Sequence, residues 1–316
     1  MPPTGPILFF RPGGLGDLLA ACPSIRLVRG AFPARSAMLA ASGAPGRLAV
    51  RAGLADELLS VDDPNLAGLF SAVGGPALPA GRSGGVPDSL WAFFLKEPPP
   101  EFRMAAARLF GPEARIIVYE PSSGLPIGRF FFERAAATFG GVGGDAAFDS
   151  LARLADLGPP PFPLPAAPFA VIHPGSGSAR KNWPLERFLA AAAHLGGRGV
   201  GGFLVTGPAE AEGSAGQASP RLPTDWLVLR EPPLHELAGL LARCGVYLGN
   251  DSGVTHLAAT AGAPVLALFR DENLPAWQPA GRTTVLHAPE PSGISWADVR
   301  AALARFPAPS ALQYRP

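Results

Sequence analysis

Apolar residues in this chain come in short blocks whose period keeps changing. Ile7 to Phe10 is a continuous apolar run, and the turn Arg11-Pro12-Gly13-Gly14-Leu15-Gly16-Asp17 follows it. Leu18, Leu19, Cys22, Ile25 and Leu27 then recur at helical spacing, with Pro23 expected to bend that helix or to sit near its start. Strand, glycine turn and helix make the opening of a βαβ unit. Further strands are predicted at Ala37 to Ala41, Glu57 to Val61, Leu90 to Leu95 and Arg115 to Tyr119, with helices able to form over Arg47 to Leu54 and Phe102 to Phe110. Gly74 to Val86 is rich in Gly, Pro and Ser and reads as loop.

Near the middle, Gly158-Pro159-Pro160-Pro161-Phe162-Pro163-Leu164-Pro165 favours an extended, polyproline-like path and reads as an inter-domain linker. Beyond it the alternation is cleaner. Strands are predicted at Phe169 to His173, Gly202 to Thr206, Leu227 to Leu229, Gly245 to Gly249 and Val265 to Phe269. The intervening helices are Pro184 to Leu195, a short one from Ala209, Leu234 to Arg243, and one from Ser252 that Gly262 and Pro264 stop. Repeated βα units imply parallel sheets covered on both faces. The expected fold is α/β, with domains at 1–160 and 168–316 facing across a cleft at the carboxyl ends of their strands.

Composition narrows the chemistry. At 316 residues and 47% apolar content, the chain can bury two cores, and no uninterrupted apolar run reaches the length of a membrane span. The first ten residues lack the layout of a secretory signal, so cytoplasmic residence is expected. A net charge of +1 gives no reason to expect nucleic acid as a partner. Cys22 and Cys244 have no paired spacing, the five His are scattered, and no carboxylate cluster has ligand spacing, so neither a redox couple nor a metal is expected. Gly13-Gly14-Leu15-Gly16 matches neither the dinucleotide fingerprint nor a P-loop.

Candidate polar groups fall at the carboxyl ends of predicted strands. Asn250-Asp251-Ser252-Gly253-Val254-Thr255-His256 opens a helix whose first amides and dipole suit a phosphate or carboxylate, with His256 one turn in. Helix capping by Asp251 or Ser252 explains the same residues without a ligand. Pro174 to Pro184 carries small residues together with Lys181, which with Lys96 makes up all the lysine of the chain, and it can hold a phosphate or be an ordinary loop. Glu210 sits near a helix start. Asp17 can be a general base or simply complement its helix dipole. Arg26, Arg29, Arg35, Arg47 and Arg51 can attract an anion, but read more simply as solvated charges.

Taken together, the Arg11-to-Asp17 turn, the segment from His173-Pro174-Gly175 through Lys181-Asn182-Trp183-Pro184, and Asn250-Asp251-Ser252-Gly253 with His256 resemble glycosyltransferase family 9, the heptosyltransferases of the lipopolysaccharide inner core. The resemblance spans most of the chain and is weakest from Asp62 to Gly158. It implies a GT-B fold of two Rossmann-like domains, the first for acceptor and the second for donor, with the last helix able to pack back on the first. It also implies inverting, metal-independent transfer without a cofactor. The donor would be a nucleotide diphosphate sugar, usually ADP-heptose, and the acceptor a lipopolysaccharide core or other glycan.

At matching positions, Asp17 would be the catalytic base, with Arg11, Gly14 and Gly16 on the acceptor side. Ser176, Gly177, Ser178, Lys181, Ser252 and Gly253 would hold the donor, with Glu210 near its ribose, Asp251 facing its sugar and His256 at its diphosphate. Some relatives carry two hydroxyl residues where this chain has Ser176-Gly177, so one contact is either missing or made by Ser178. A monomer is expected, with a peripheral contact at the inner membrane face allowed by a glycolipid acceptor. The alternatives are a nucleotide-sugar epimerase of the same fold and a catalytically degenerate protein that binds a sugar nucleotide or glycan.

Overall fold

Parallel strands that are apolar throughout need cover on both faces, and the computed structural model of the chain supplies it twice. The structure describes residues 5–63, 66, 90–96, 98, 101–110, 114–165, 168–207 and 221–306. The chain divides into two units, Met1–Ala152 and Arg153–Pro316.

The first unit runs β1 (Ile7–Phe10), α1 (Leu15–Ala31), β2 (Ala37–Ala41), α2 (Gly43–Arg51), β3 (Glu57–Ser60), β4 (Leu90–Leu95), α3 (Phe102–Phe110), β5 (Ala114–Val118), α4 (Ile127–Phe139) and α5 (Asp145–Ala152). Its five parallel strands lie in the order β3-β2-β1-β4-β5, with Ile7 level with both Ala37 and Leu90. Every residue of β1 and β4 is buried, which is why both read as unbroken apolar runs. On one face Phe10, Phe93 and Phe102 form a cluster, their ring centroids 5.5 to 6.0 Å apart. On the other face α1 packs along α4 and α5. Gly128 permits the close approach of α4, since a Cβ there would sit 2.9 Å from the Ala20 carbonyl oxygen. Pro23 lies inside α1, buried and without breaking it. The helices α4 and α5 belong to the stretch in which the sequence assigned no helix after α3.

The second unit runs β6 (Ala170–His173), α6 (Leu185–Gly196), β7 (Gly202–Thr206), β8 (Trp226–Arg230), α7 (Leu234–Leu241), β9 (Val246–Asn250), α8 (Gly253–Ala261), β10 (Val265–Arg270), α9 (Leu274–Trp277), β11 (Thr283–Ala288) and α10 (Trp296–Leu303). The sheet order is β11-β10-β9-β6-β7-β8, again parallel throughout. Each sheet therefore grows from its first strand in one direction and then restarts on that strand's other side, the Rossmann arrangement. The restart leaves a crevice at the carboxyl ends of β1 and β4 in the first unit, and of β6 and β9 in the second. The short helix expected from Ala209 lies outside the described residues.

The proline-rich stretch is tied to the second unit. Asp156 pairs with Arg243 at 2.9 Å, Gly158 accepts a bond from the same guanidinium, and Phe162 packs on Phe203. The last described helix, α10, lies in the same unit's core through Val299, Ala302 and Leu303. No helix among the described residues is long and apolar enough to cross a membrane.

Candidate functional site

In the first unit the β1–α1 turn holds one carboxylate with unusual care. Gly13 adopts φ +113°, and a Cβ there would lie 2.7 Å from the Asp17 carboxyl carbon, so the turn needs glycine to bring the backbone over Asp17. Asp17 Oδ2 accepts the N–H of Gly14, the N-cap, at 3.0 Å, and Gly14 O starts the helix ladder by accepting from Leu18 N–H. Beneath it lies Arg11, only 3% exposed. Its guanidinium donates through Nη2 to Asp17 Oδ1 (2.8 Å), through Nε to the Asp17 carbonyl (2.8 Å), and through Nη1 to Phe94 O at the end of β4 (3.3 Å). The Phe131 ring lies 5.3 Å from its carbon. Burial pulls the Arg11 pKa down, and the Asp17 charge opposes that pull. Sequence reasoning set Arg11 beside Gly14 and Gly16 on the acceptor side; in the fold its charged head is directed at Asp17.

In the second unit, Asn250 closes β9 and is fully buried. Its Nδ2 donates to Pro174 O at 2.7 Å and its Oδ1 accepts from Trp183 N–H at 3.0 Å, so one side chain fastens both ends of the loop that follows β6. Within that loop Ser176 Oγ lies 2.7 Å from both Ser178 O and Asn182 Oδ1 and accepts from Ser178 N–H. Its single proton serves one of the two oxygens at a time, so in this state Ser176 shapes the loop. Gly177 and Ser178 are exposed at the tip.

The loop then presents Lys181, whose Nζ lies 2.8 Å from Asp251 Oδ2. Asp251, 5% exposed, also accepts from Asn273 Nδ2 at 2.9 Å. One residue further, Ser252 caps α8 by accepting from Thr255 N–H, and His256 N–H returns to Ser252 O. The amides of Gly253 and Val254 precede that first ladder bond and carry the positive end of the helix dipole. Thr255 is braced by the Tyr247 hydroxyl (3.0 Å) and by a short bond to Asn250 O. His256 is buried at 7% exposure, its ring edge-on to Trp277 at 6.1 Å. The fold thus gathers Ser176, Lys181, Asp251, Ser252 and Gly253 around the β6–β9 crevice, with His256 on the first turn of the helix that starts there. Glu210 lies outside the described residues.

The sequence motifs contained Asn250 and Asn182 without assigning them work, although a polar residue ending an apolar strand was a usable signal. Asn273 had no signal, because nothing in Asp271-Glu272-Asn273 distinguishes it from any polar loop. Among the described residues no three His, Cys, Asp or Glu stand close enough to hold a metal. Both cysteines are free and buried, and burial pushes each thiol up to about 12, so neither is ionised near neutral pH. Of the arginines considered for an acceptor, Arg26 donates to Leu151 O and Arg29 pairs with Asp56, both contacts within the first unit.

Residues 143–291 match the model of glycosyltransferase family 9 (heptosyltransferase). Among solved structures, the chain is similar to E. coli heptosyltransferase WaaC with ADP, at 17% identity over 94% of this chain and 98% of that one, with a TM-score of 0.64. It is similar to E. coli ADP-heptose lps heptosyltransferase II at 17% identity, over 95% and 97% of the two chains, with a TM-score of 0.66. It is also similar to a family 9 glycosyl transferase from Veillonella parvula at 16% identity, over 97% and 91%, with a TM-score of 0.64. At such identities the structures speak for the fold, which is GT-B. A search of curated proteins found no significant match. The match to the glycosyltransferase family 9 (heptosyltransferase) model thus covers residues 143–291, and the likeness in fold to solved heptosyltransferases extends over nearly the whole chain.

Proposed function

We propose that the protein transfers a sugar, heptose first among the candidates, from a nucleoside diphosphate donor to a hydroxyl of a lipopolysaccharide-core or related glycan, with inversion and without a metal. The observation that carries this reading is the Lys181–Asp251 pair at the β6–β9 crevice, beside the start of α8. A donor pyrophosphate can take the ammonium and the first amides of α8, while Asp251 is left to accept bonds from sugar hydroxyls. ADP is the favoured nucleotide, because WaaC was solved with it.

In the transfer step the acceptor oxygen forms a bond to the anomeric carbon as that carbon's bond to the donor phosphate oxygen breaks. The electron pair of the broken bond leaves with the nucleoside diphosphate, and the acceptor's hydroxyl proton passes to the Asp17 carboxylate. Charge builds on the departing phosphate, where Lys181 and the helix amides stabilise it without a cation. In this reading the enzyme works as a monomer in the cytoplasm, at the membrane face where a glycolipid acceptor lies.

A thermal-shift panel tests the donor. A ligand bound only by the folded chain raises its melting temperature, so ADP and ADP-heptose should shift it and UDP- and GDP-sugars should not. Equal shifts for all bases, or none, would remove the ADP assignment. Sugar transfer and isomerisation separate in a second assay, since only transfer releases ADP in step with added acceptor.

A further inference from the structure

The assignment of Asp17 as base leaves unexplained why a guanidinium is buried under it. Helix capping accounts for the bond from Gly14 N–H to Oδ2 and for nothing more. A carboxylate at a helix start is already stabilised by the dipole and by water, and Asp17 keeps a side-chain exposure of 31%. Arg11, by contrast, gives up its hydration almost entirely, and removing a charged group from water is unfavourable until its new bonds offset the loss. Its three donor contacts join the carboxylate, the carbonyl of the same residue and the end of β4. The Phe131 ring closes the remaining face.

Resting on the reading of Asp17 as base, we propose that Arg11 is a positioning residue that locks the Asp17 carboxylate in one rotamer over the β1–β4 crevice. Each carboxylate oxygen has two lone-pair sites. With Oδ1 bound to Arg11 and Oδ2 to Gly14, the carboxylate cannot rotate about its terminal bond without losing both contacts, and the remaining lone pairs keep a fixed direction for the acceptor's proton. Nε and Nη2 grip the backbone and side chain of one residue together, which a lysine ammonium lacks the fork to do.

The test uses the full chain carrying Arg11→Lys, and separately Arg11→Ala, assayed with ADP-heptose and a heptose-deficient lipopolysaccharide core. Misplacement of a reacting group by about an ångström costs on the order of 100-fold, so Arg11→Lys should lose about 10- to 100-fold in kcat. Its KM for ADP-heptose and its ADP-induced thermal shift should stay within about two-fold of the parent, because donor contacts lie on the second unit. Added guanidinium should restore part of the kcat of Arg11→Ala, whereas the same concentration of sodium chloride should not. Parental kcat in Arg11→Lys overturns the proposal. So does a kcat loss in Arg11→Ala that guanidinium leaves unchanged while the ADP shift persists. An inactive parent, or an active Asp17→Asn variant, would instead defeat the reading of the base, and that result is read without any Arg11 variant.

Discussion

The two sheets grow in the same order from their first strands and each sets one ion pair at its crevice, but they expose opposite partners. In the first unit the cation is buried and the carboxylate reaches solvent, with side-chain exposures of 2% for Arg11 and 31% for Asp17. In the second the carboxylate is buried and the cation reaches solvent, 6% for Asp251 and 32% for Lys181. A shared strand order therefore fixes where charge is placed and leaves its sign to a few side chains. The outward carboxylate is suited to taking a proton, and the outward ammonium to holding an anion. The buried member of each pair orients the other: Arg11 through three acceptors, Asp251 through its bond from Asn273.

The largest effect should come from removing the charge that the first unit exposes. Asp17→Asn keeps an oxygen for the Gly14 amide and nearly the same volume, so the cap survives while the proton acceptor goes. Loss of a general base costs about 10²- to 10⁴-fold, and kcat should fall by that much with ADP affinity unchanged in a thermal-shift titration. Parental turnover in this variant would take Asp17 out of the reaction. The mirror experiment, Lys181→Met, should act mainly on binding, with a smaller loss in kcat because the same ammonium meets the charge on the departing phosphate. A hydrogen bond to a charged group contributes about 1.5–3 kcal/mol, so KM for the sugar nucleotide should rise by about 10- to 150-fold. Asp251→Asn, assayed beside it, shows how much of that rise comes from leaving Asp251 without its ammonium. If Lys181→Met lowered kcat alone, the division of labour between the two crevices would fail.

A smaller effect is expected where the second crevice is fastened. Asn250→Asp preserves shape but replaces the Nδ2 donor with an oxygen facing Pro174 O, while Trp183 N–H keeps its acceptor. The unsatisfied carbonyl and the buried charge should lower stability by about 1–3 kcal/mol and loosen the loop that presents Lys181. Chemical denaturation gives the first number and ADP titration the second. The same substitution with unaltered ADP affinity would mean that the loop holds its shape without Asn250.

Legibility in the sequence followed burial. The strands β1, β4, β9 and β10 are buried at every position and read correctly as apolar runs, and α8 announced itself by an N-cap serine and a stop at Gly262, which adopts φ +88°. The helix α4 escaped because Phe130-Phe131-Phe132 is three apolar residues in a row, which fits strand and helix alike. The strand β11 escaped because five of its six residues are partly buried and the sixth, His287, is exposed, so no period shows. Within the site, Asp17, Lys181 and Asp251 were visible as residue types at strand ends. The pairing of Lys181 with Asp251 was not, because it joins segments seventy residues apart through a crevice that only the sheet order creates. The burial of Arg11 under Asp17 is not legible in the sequence, because it depends on the packing of Phe131 and β4 around the guanidinium.

The gentlest comparison concerns two hydroxyls, one in the helix that follows each first-unit or second-unit crevice strand. Thr255 in α8 is buried and bonded to Asn250 O, with Tyr247 and Ser252 hydroxyls also within reach. Ser24 in α1 is equally buried, and its Oγ has no hydrogen-bond partner. A helical serine usually returns its proton to the carbonyl four residues back, here Ala20 O, the same oxygen against which Gly128 of α4 is packed. The two hydroxyls should therefore respond in opposite directions. Thr255→Val leaves buried acceptors unmatched and should cost about 1–3 kcal/mol, with ADP affinity falling as the start of α8 shifts. Ser24→Ala removes an unbonded polar atom, improves helix propensity and should raise stability by about 0.5–1 kcal/mol without touching kcat. Equilibrium denaturation of the pair decides the matter: a Ser24→Ala variant less stable than the parent would mean that this hydroxyl finds a partner in solution, and that the first unit's helix is braced as the second's is.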